Sequence, residues 1–282
     1  GRADLEAHRM HTIGDPEVRI REDPVRTLRA VRFAARLGFT IAPATCAAMR
    51  RPAGELARCA PARVLEEIFK ILRCGGSARA FELLRSSGAL PVVLPALGAA
   101  LEGWSDAARR GFYAHLSALD RLVRAGAEVS EAVLLATLVS HLGGLSAPDP
   151  EADAEAAPLP APRGSGHEAD DLLASLVSTS RLPRKVAERV RLALNAQRHF
   201  KEPAKGRRHR GRKLSGQSYF VDALQLLEIS VTATGQGQEL LDRWRQQAQG
   251  GGEERPRGRE RSDRSGRGER APAEGRIAAP EG

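Results

Sequence analysis

Aromatic side chains make up only 4% of this 282-residue sequence. That scarcity argues against a surface that stacks many unpaired bases. Cysteine is scarcer still, with Cys46, Cys59 and Cys74 the full set. Their spacing fits no zinc site and each lies in apolar helical context, so the expectation is buried free thiols in a reducing cytoplasm. No apolar run approaches the ~20 residues of a membrane span, and no secretory leader is visible. The spacing Asp-x-Asp, one way to hold two metal ions roughly 4 Å apart for phosphoryl transfer, does not occur. The nearest approach, Glu151-Ala152-Asp153-Ala154-Glu155, sits among Ala and Pro.

What the sequence has is positive charge. Lys and Arg number 44 against 35 Asp and Glu, a formal charge of +9 with a pI near 10.3. Such a balance points to a polyanionic partner, although an Arg-rich composition of the whole proteome would give the same numbers. The charge is concentrated in the run Lys205 to Lys213, where Arg207, Arg208, Arg210, Arg212 and Lys213 fall without an intervening acid. Either RNA phosphates bind there or the run is a solvated loop.

A second concentration lies near the start. Glu22-Asp23-Pro24-Val25-Arg26 leads into Leu28-Arg29-Ala30-Val31-Arg32-Phe33. Proline is favoured in the first turn of a helix, so Asp23 is expected to be an N-cap of a helix over 23–38, ended by Gly38. At 100° per residue Arg26, Arg29, Arg32 and Arg36 share one arc, and Leu28, Val31 and Ala35 the opposite one. Asp23 and Arg26 then face the same space. A carboxylate acceptor beside a guanidinium donor complements the pairing edge of adenine or cytosine, while guanine and uracil present the reverse order. The plainer reading is a helix cap with its ion-pair partner.

These residues resemble the nucleotide-selecting motif of class II template-independent nucleotidyltransferases, the family of bacterial poly(A) polymerases and of the enzymes that add CCA to tRNA. Pro61-Ala62-Arg63-Val64-Leu65-Glu66-Glu67-Ile68 is similar to the helix motif that follows in that family. CCA-adding members usually carry Glu where Ala62 stands, and poly(A) polymerases tend not to. Pro183-Arg184-Lys185-Val186 and Phe220-Val221-Asp222-Ala223-Leu224 resemble later parts of bacterial poly(A) polymerase.

The resemblance implies an all-α neck and body of many helices with a disordered Arg-rich tail. Its expected divisions are a remnant of the nucleotidyltransferase head at 1–14, a nucleotide-selecting and RNA-binding neck at 15–97, a body at 98–248 with a disordered insert at 143–167, and the tail at 249–282. The head, with its paired aspartates and Mg²⁺ ions, is expected to be missing, so the chain by itself is expected to be inactive. Asp23 and Arg26 would select the base, Glu22, Arg29 and Arg32 would lie at the nucleotide, and Arg63 and Glu67 would brace Asp23 and Arg26. The implied activity is adenylate addition from ATP to RNA 3′ ends, in the cytoplasm and without a membrane. CCA addition, or a non-catalytic helical RNA-binding module, remain the alternatives.

Elsewhere the apolar spacing predicts helices at 44–51, 61–73, 78–87, 106–125, from 130 onward, 168–179, 184–199, 217–230 and 236–248. Leu90 to Pro95 reads as an apolar connector. His115 and His141 lie on amphipathic stretches without companions to ligate a metal, and read as structural or surface residues.

Overall fold

The computed structural model describes residues 1–50, 53–143, 172–175, 177–178, 182–201 and 214–250. All of them fall in one unit, Gly1–Gly251. The basic run at 205–213, almost all of the insert at 143–167 and the tail from 251 onward lie outside the described residues.

The acid–proline signature occurs twice near the start, and each copy does something different. Asp15 is the N-cap of α2 (Pro16–Glu22): its side chain accepts the Glu17 N–H at 2.9 Å, and Pro16 stands at the first helical position. Asp23 ends that helix in an extended conformation, and α3 (Arg26–Leu37) starts after Val25 with no side-chain cap. The expected helix over 23–38 is therefore shorter, and Asp23 is not its N-cap. The Asp23 carbonyl accepts the Arg26 N–H at 3.0 Å, so the segment between the helices is a tight turn that frees the Asp23 side chain for other partners.

The far end of α3 obeys the expectation. Gly38 takes a left-handed conformation, φ 69°, which only glycine adopts without strain. Leu28, Val31 and Ala35 are buried as the pattern required; Arg29 and Arg36 are exposed, and Arg26 and Arg32 are half-buried. After Gly38 the chain forms β2 (Thr40–Ile41), which pairs in parallel with β1 (Arg9–Met10) in the register Arg9 to Thr40 and Met10 to Ile41. This pairing ties the segment containing α1 (Arg2–Glu6) to the end of α3.

The next helices are α4 (Pro43–Arg50), α5 (Ala53–Leu56), α6 (Pro61–Leu72) and α7 (Ser77–Ser86). Helix α3 packs on α6 and α7, and α2 packs on α4. A Cβ on Gly76 would sit 2.7 Å from the Ala35 carbonyl oxygen, so glycine permits the start of α7 to approach α3 this closely. The stretch 90–95 is not a connector: it forms α8 (Leu90–Val93) and the start of α9 (Pro95–Gly103), with Pro91 and Pro95 in their first turns.

The body is α10 (Asp106–Arg124), α11 (Glu131–Ser140) with a 3₁₀ turn at His141–Gly143, α12 (Arg184–Lys201), α13 (Phe220–Thr234) and α14 (Gln238–Gly250). Helix α11 is buried along its whole length, not amphipathic, because α10, α12 and α13 surround it. Trp244 anchors α14, with its indole N–H donating to the Phe200 carbonyl at 3.4 Å. Among the described residues the only strands are the two short ones, and the fold is all-α. The three cysteines are free thiols as expected, but half-buried and not enclosed. His115 is in the interior, its Nδ1 paired with the Gly111 carbonyl at 2.8 Å, and is not a surface residue.

Candidate functional site

Three elements meet at Asp23: the turn between α2 and α3, the outer arc of α3, and the first two turns of α6. Proline at the first position of α6 sets the helix going at Pro61 and aims Arg63 back across this turn. The Arg63 Nη2 donates to both carboxylate oxygens of Asp23, at 3.1 and 3.2 Å. Arg29 Nη1 lies 3.9 Å from the same carboxylate. With one N–H group spread over both oxygens, Asp23 keeps part of its capacity of about four acceptor positions. Its side chain is 20% exposed, so that capacity is reachable from solvent.

One turn further along α6, Glu67 is buried at 4% side-chain exposure and draws in three cations. Its oxygens lie 3.5 Å from Arg29 Nε, 3.3 Å from Arg32 Nε and 3.3 Å from Lys70 Nζ. Lys70 also holds Glu66 at 2.7 Å; that pair raises the ammonium pKa and lowers that of the Glu66 carboxyl. The result is an alternating chain, Asp23 to Arg29 to Glu67 to Lys70 to Glu66. Paired this way, Glu67 escapes the cost of an isolated buried charge. Arg32 also lies over the Phe33 ring, 4.3 Å from its centroid.

The expected site residues separate into two groups. Asp23, Arg29, Arg32, Arg63 and Glu67 come together through these contacts. Arg26 forms no ion pair with Asp23 or any other described residue, and its Nε is buried without an acceptor. Glu67 holds Arg29 and Arg32, and no bond joins it to Arg26. Glu22 is exposed on α2 and pairs with Arg19 at 2.9 Å. Arg207, Arg208, Arg210, Arg212 and Lys213 lie outside the described residues.

Two contributions to the site escaped sequence reasoning. Lys70 is legible in the sequence as the i,i+4 partner of Glu66, and that pair forms, but its second contact, to Glu67 at i,i+3, was not foreseen. Cys59 carries no sequence signal; its thiol pKa is raised by burial, with Arg63 opposing and Asp23 reinforcing the shift, which puts it within electrostatic reach of the pair. Among the described residues no three His, Cys, Asp or Glu side chains converge as metal ligands. Two open depressions of about 410 and 450 Å³ share Glu82 and Tyr113 between α7, α9 and α10, and neither is lined by the Asp23 cluster.

Comparison with known proteins covers part of this ground: the family match includes Arg63, Glu67 and Lys70 and begins after Asp23, Arg29 and Arg32. Residues 38–101 match a family model described as the probable RNA and SrmB-binding site of polymerase A. Poly(A) polymerase I of Salmonella typhi is 36% identical over 139 residues, which is 49% of this chain and 30% of the relative. The Multifunctional CCA protein of Paracidovorax citrulli is 37% identical over 195 residues, 65% of this chain and 42% of the relative. Over these stretches the chain is similar to poly(A) polymerases and CCA-adding enzymes. It spans less than half the length of these two curated relatives. Its fold matches the crystal structure of the Bacillus stearothermophilus CCA-adding enzyme in complex with CTP, with a TM-score of 0.59, 23% identity, and coverage of 89% of this chain and 52% of the other. No helix among the described residues is long and apolar enough to cross a membrane.

Proposed function

We propose that this chain supplies base selection and RNA binding to a polynucleotide adenylyltransferase that adds AMP from ATP to RNA 3′ ends. The observation that carries the reading is the state of Asp23: a solvent-reachable carboxylate, fixed by Arg63 and flanked by Arg29, with acceptor positions to spare. Adenine would donate its amino group to Asp23 and accept at its ring nitrogen from a guanidinium. Arg26 supports that second contact, because it begins α3 one turn from Asp23 and no acidic partner holds it. Guanine and uracil would set donor against donor and acceptor against acceptor, leaving both protein groups unpaired.

Arg29 and Arg32 lie beside this position and would meet phosphates, and the basic run 207–213 would hold the RNA further out. Mg²⁺ would come from carboxylates outside the described residues. The likeness to poly(A) polymerases and CCA proteins and the family match over 38–101 favour an RNA 3′ end as acceptor, and the free thiols accord with work in a reducing cytoplasm.

CCA addition is the second reading, because cytosine shares the edge order of adenine and a solved relative binds CTP. Ala62, where CCA-adding members usually carry Glu, favours poly(A) addition. The deciding experiment replaces the matching residues of Salmonella typhi Poly(A) polymerase I with this chain. It then offers Mg²⁺ with either ATP and oligo(A), or CTP and tRNA lacking its terminal CCA. AMP tailing of oligo(A) is the expected result; CMP incorporation into the tRNA would move the chain to the second reading.

A further inference from the structure

A second cationic position lies along α3 from the Asp23 cluster, at the turn Cys74–Gly76 between α6 and α7. Arg36 continues the arc of Arg29 and Arg32, about 10 Å beyond Arg29 at 1.5 Å per residue. Its backbone N–H lies 3.4 Å from where a Cβ on Gly76 would stand, so the last turns of α3 rest on this turn. From the other side, α10 delivers Arg124, whose Nη1 donates to the Gly75 carbonyl at 2.8 Å. Burial raises the pKa of the Cys74 thiol; a backbone hydrogen bond at Gly76 and, to a lesser extent, the charges of Arg32 and Arg36 lower it, with Asp120 opposing them.

The nearby acids are already engaged. Asp120 is buried, and its two oxygens take the Ser77 and Ala78 N–H groups at 2.6 and 3.1 Å. Glu67 is occupied by Arg29, Arg32 and Lys70. Arg36 and Arg124 are exposed and have no carboxylate partner among the described residues. The dipole at the C-terminus of α10 accounts for a cation at Arg124. The dipole of α3 likewise accounts for Arg36 in its last turn, but neither dipole accounts for the two helix ends meeting at this one turn.

We propose that the Cys74–Gly76 turn, flanked by Arg36 and Arg124, is a phosphate subsite for the RNA strand whose 3′ end lies at Asp23. The assignment rests on the function proposed above and adds to it a path, from the base-selecting carboxylate past Arg29 and Arg32 to the end of α10. RNA is favoured over an acidic protein because the stripe is continuous with the nucleotide position. It is also entirely arginine, the side chain that binds phosphate through a planar fork. The exposed ring of Phe33, beneath Arg32, offers a base a stacking surface on the way.

The test measures binding of short fluorescein-labelled oligo(A) by the full chain, by anisotropy, between about 50 and 200 mM salt. Variants are Arg36→Gln, Arg124→Gln and, as a control of equal charge, Arg110→Gln, which is exposed and about 21 Å away along α10. Arg36→Gln should weaken binding several-fold at low salt and reduce the slope of log K against log salt by about 0.7, the value for one single-strand phosphate contact. Arg124→Gln should do the same, and a thermal melt shows whether loss of the Gly75 bond has disturbed its fold. Arg36→Gln carries no such risk and decides the matter if Arg124→Gln unfolds. Equal effects of Arg36→Gln and Arg110→Gln would overturn the subsite, leaving only diffuse attraction. So would polyglutamate that competes with oligo(A) as well as RNA does and loses that ability in Arg36→Gln, a result that assigns the patch to a protein partner. Failure of the unmodified chain to bind oligo(A) would remove the proposed function itself, whereas normal binding with Arg36→Gln unchanged removes the subsite alone.

Discussion

Asp23 and Arg63 stand 40 residues apart in sequence and meet in one ion pair, with Arg63 Nη2 3.1 Å and 3.2 Å from the two carboxylate oxygens. The pair joins the α2–α3 turn to the start of α6, and it fixes the direction in which Asp23 presents its remaining acceptor positions. Arg63 is 51% exposed, so the pair adds less than about 1 kcal/mol to stability.

Arg63→Gln therefore separates orientation from folding. Its melting temperature should stay within the range of a surface substitution, while preference for ATP over GTP in the adenylate-transfer assay falls several-fold. A variant that melts early with its preference intact would make Arg63 a structural strut.

Glu67 behaves in the opposite way. It is buried, and Glu67→Gln removes the anion that Arg29, Arg32 and Lys70 share, leaving Arg32 with no other carboxylate among the described residues. Arg29 and Lys70 are nearly half exposed and keep Asp23 and Glu66 beside them, so the loss falls mainly on the more enclosed Arg32 and should cost about 1–3 kcal/mol. The midpoint of urea unfolding should shift accordingly, and an unshifted midpoint would mean that water already screens the cluster.

Asp120 caps a helix to which it does not belong. It sits on α10 and accepts the first N–H groups of α7, where Gly76 supplies no side-chain cap. Asp120→Ala leaves these N–H groups buried and unpaired, at a cost of about 1–3 kcal/mol for each. Chemical denaturation reads this directly, and amide exchange at Ser77 and Ala78 should speed up with it.

Acid should unfold the body through its histidines. His141 lies edge-on to Trp104 with centroids 4.4 Å apart, and both of its ring nitrogens are buried without partners among the described residues. Burial, with a smaller push from the charge of His115, holds its pKa down at about 3, against an ordinary value of 6.5. Burial lowers His115 too, against the opposing effect of its bond to the Gly111 carbonyl. Between about pH 6.5 and 3 the unfolded chain binds the His141 proton and the native state does not. Stability is then full above pH 6.5 and falls as pH drops through that window, by up to about 1.4 kcal/mol per unit. Urea midpoints at successive pH values should fall less steeply for His141→Phe, and a parallel profile would assign the acid response to other groups.

Most helices were legible because burial of one face imposes its own period. The apolar positions of α3, α6, α7 and α10 recur at helical spacing and are the ones enclosed. The errors came where one local signal serves two structures. Asp15-Pro16 and Asp23-Pro24 look alike, yet the first caps a helix and the second follows one, because Asp23 is pulled toward Arg63 by a contact no local pattern encodes. Pro91 and Pro95 suggested a connector, but proline is equally at home in a first helical turn. Within the candidate site the arc of arginines was readable from α3 alone. Which acid each arginine meets was not, since Arg29 and Arg32 reach Glu67 on a different helix.

The central claim is that the Asp23 carboxylate reads the edge of the incoming base. Its most direct measurement is kcat/KM for ATP, CTP, GTP and UTP in the chimeric enzyme, with and without Asp23→Ala. ATP should be favoured over GTP and UTP by at least about tenfold, or 1.4 kcal/mol, with that margin lost in Asp23→Ala while CTP tracks ATP. A variant that lowers all four rates in proportion, with the order among bases unchanged, would contradict the claim.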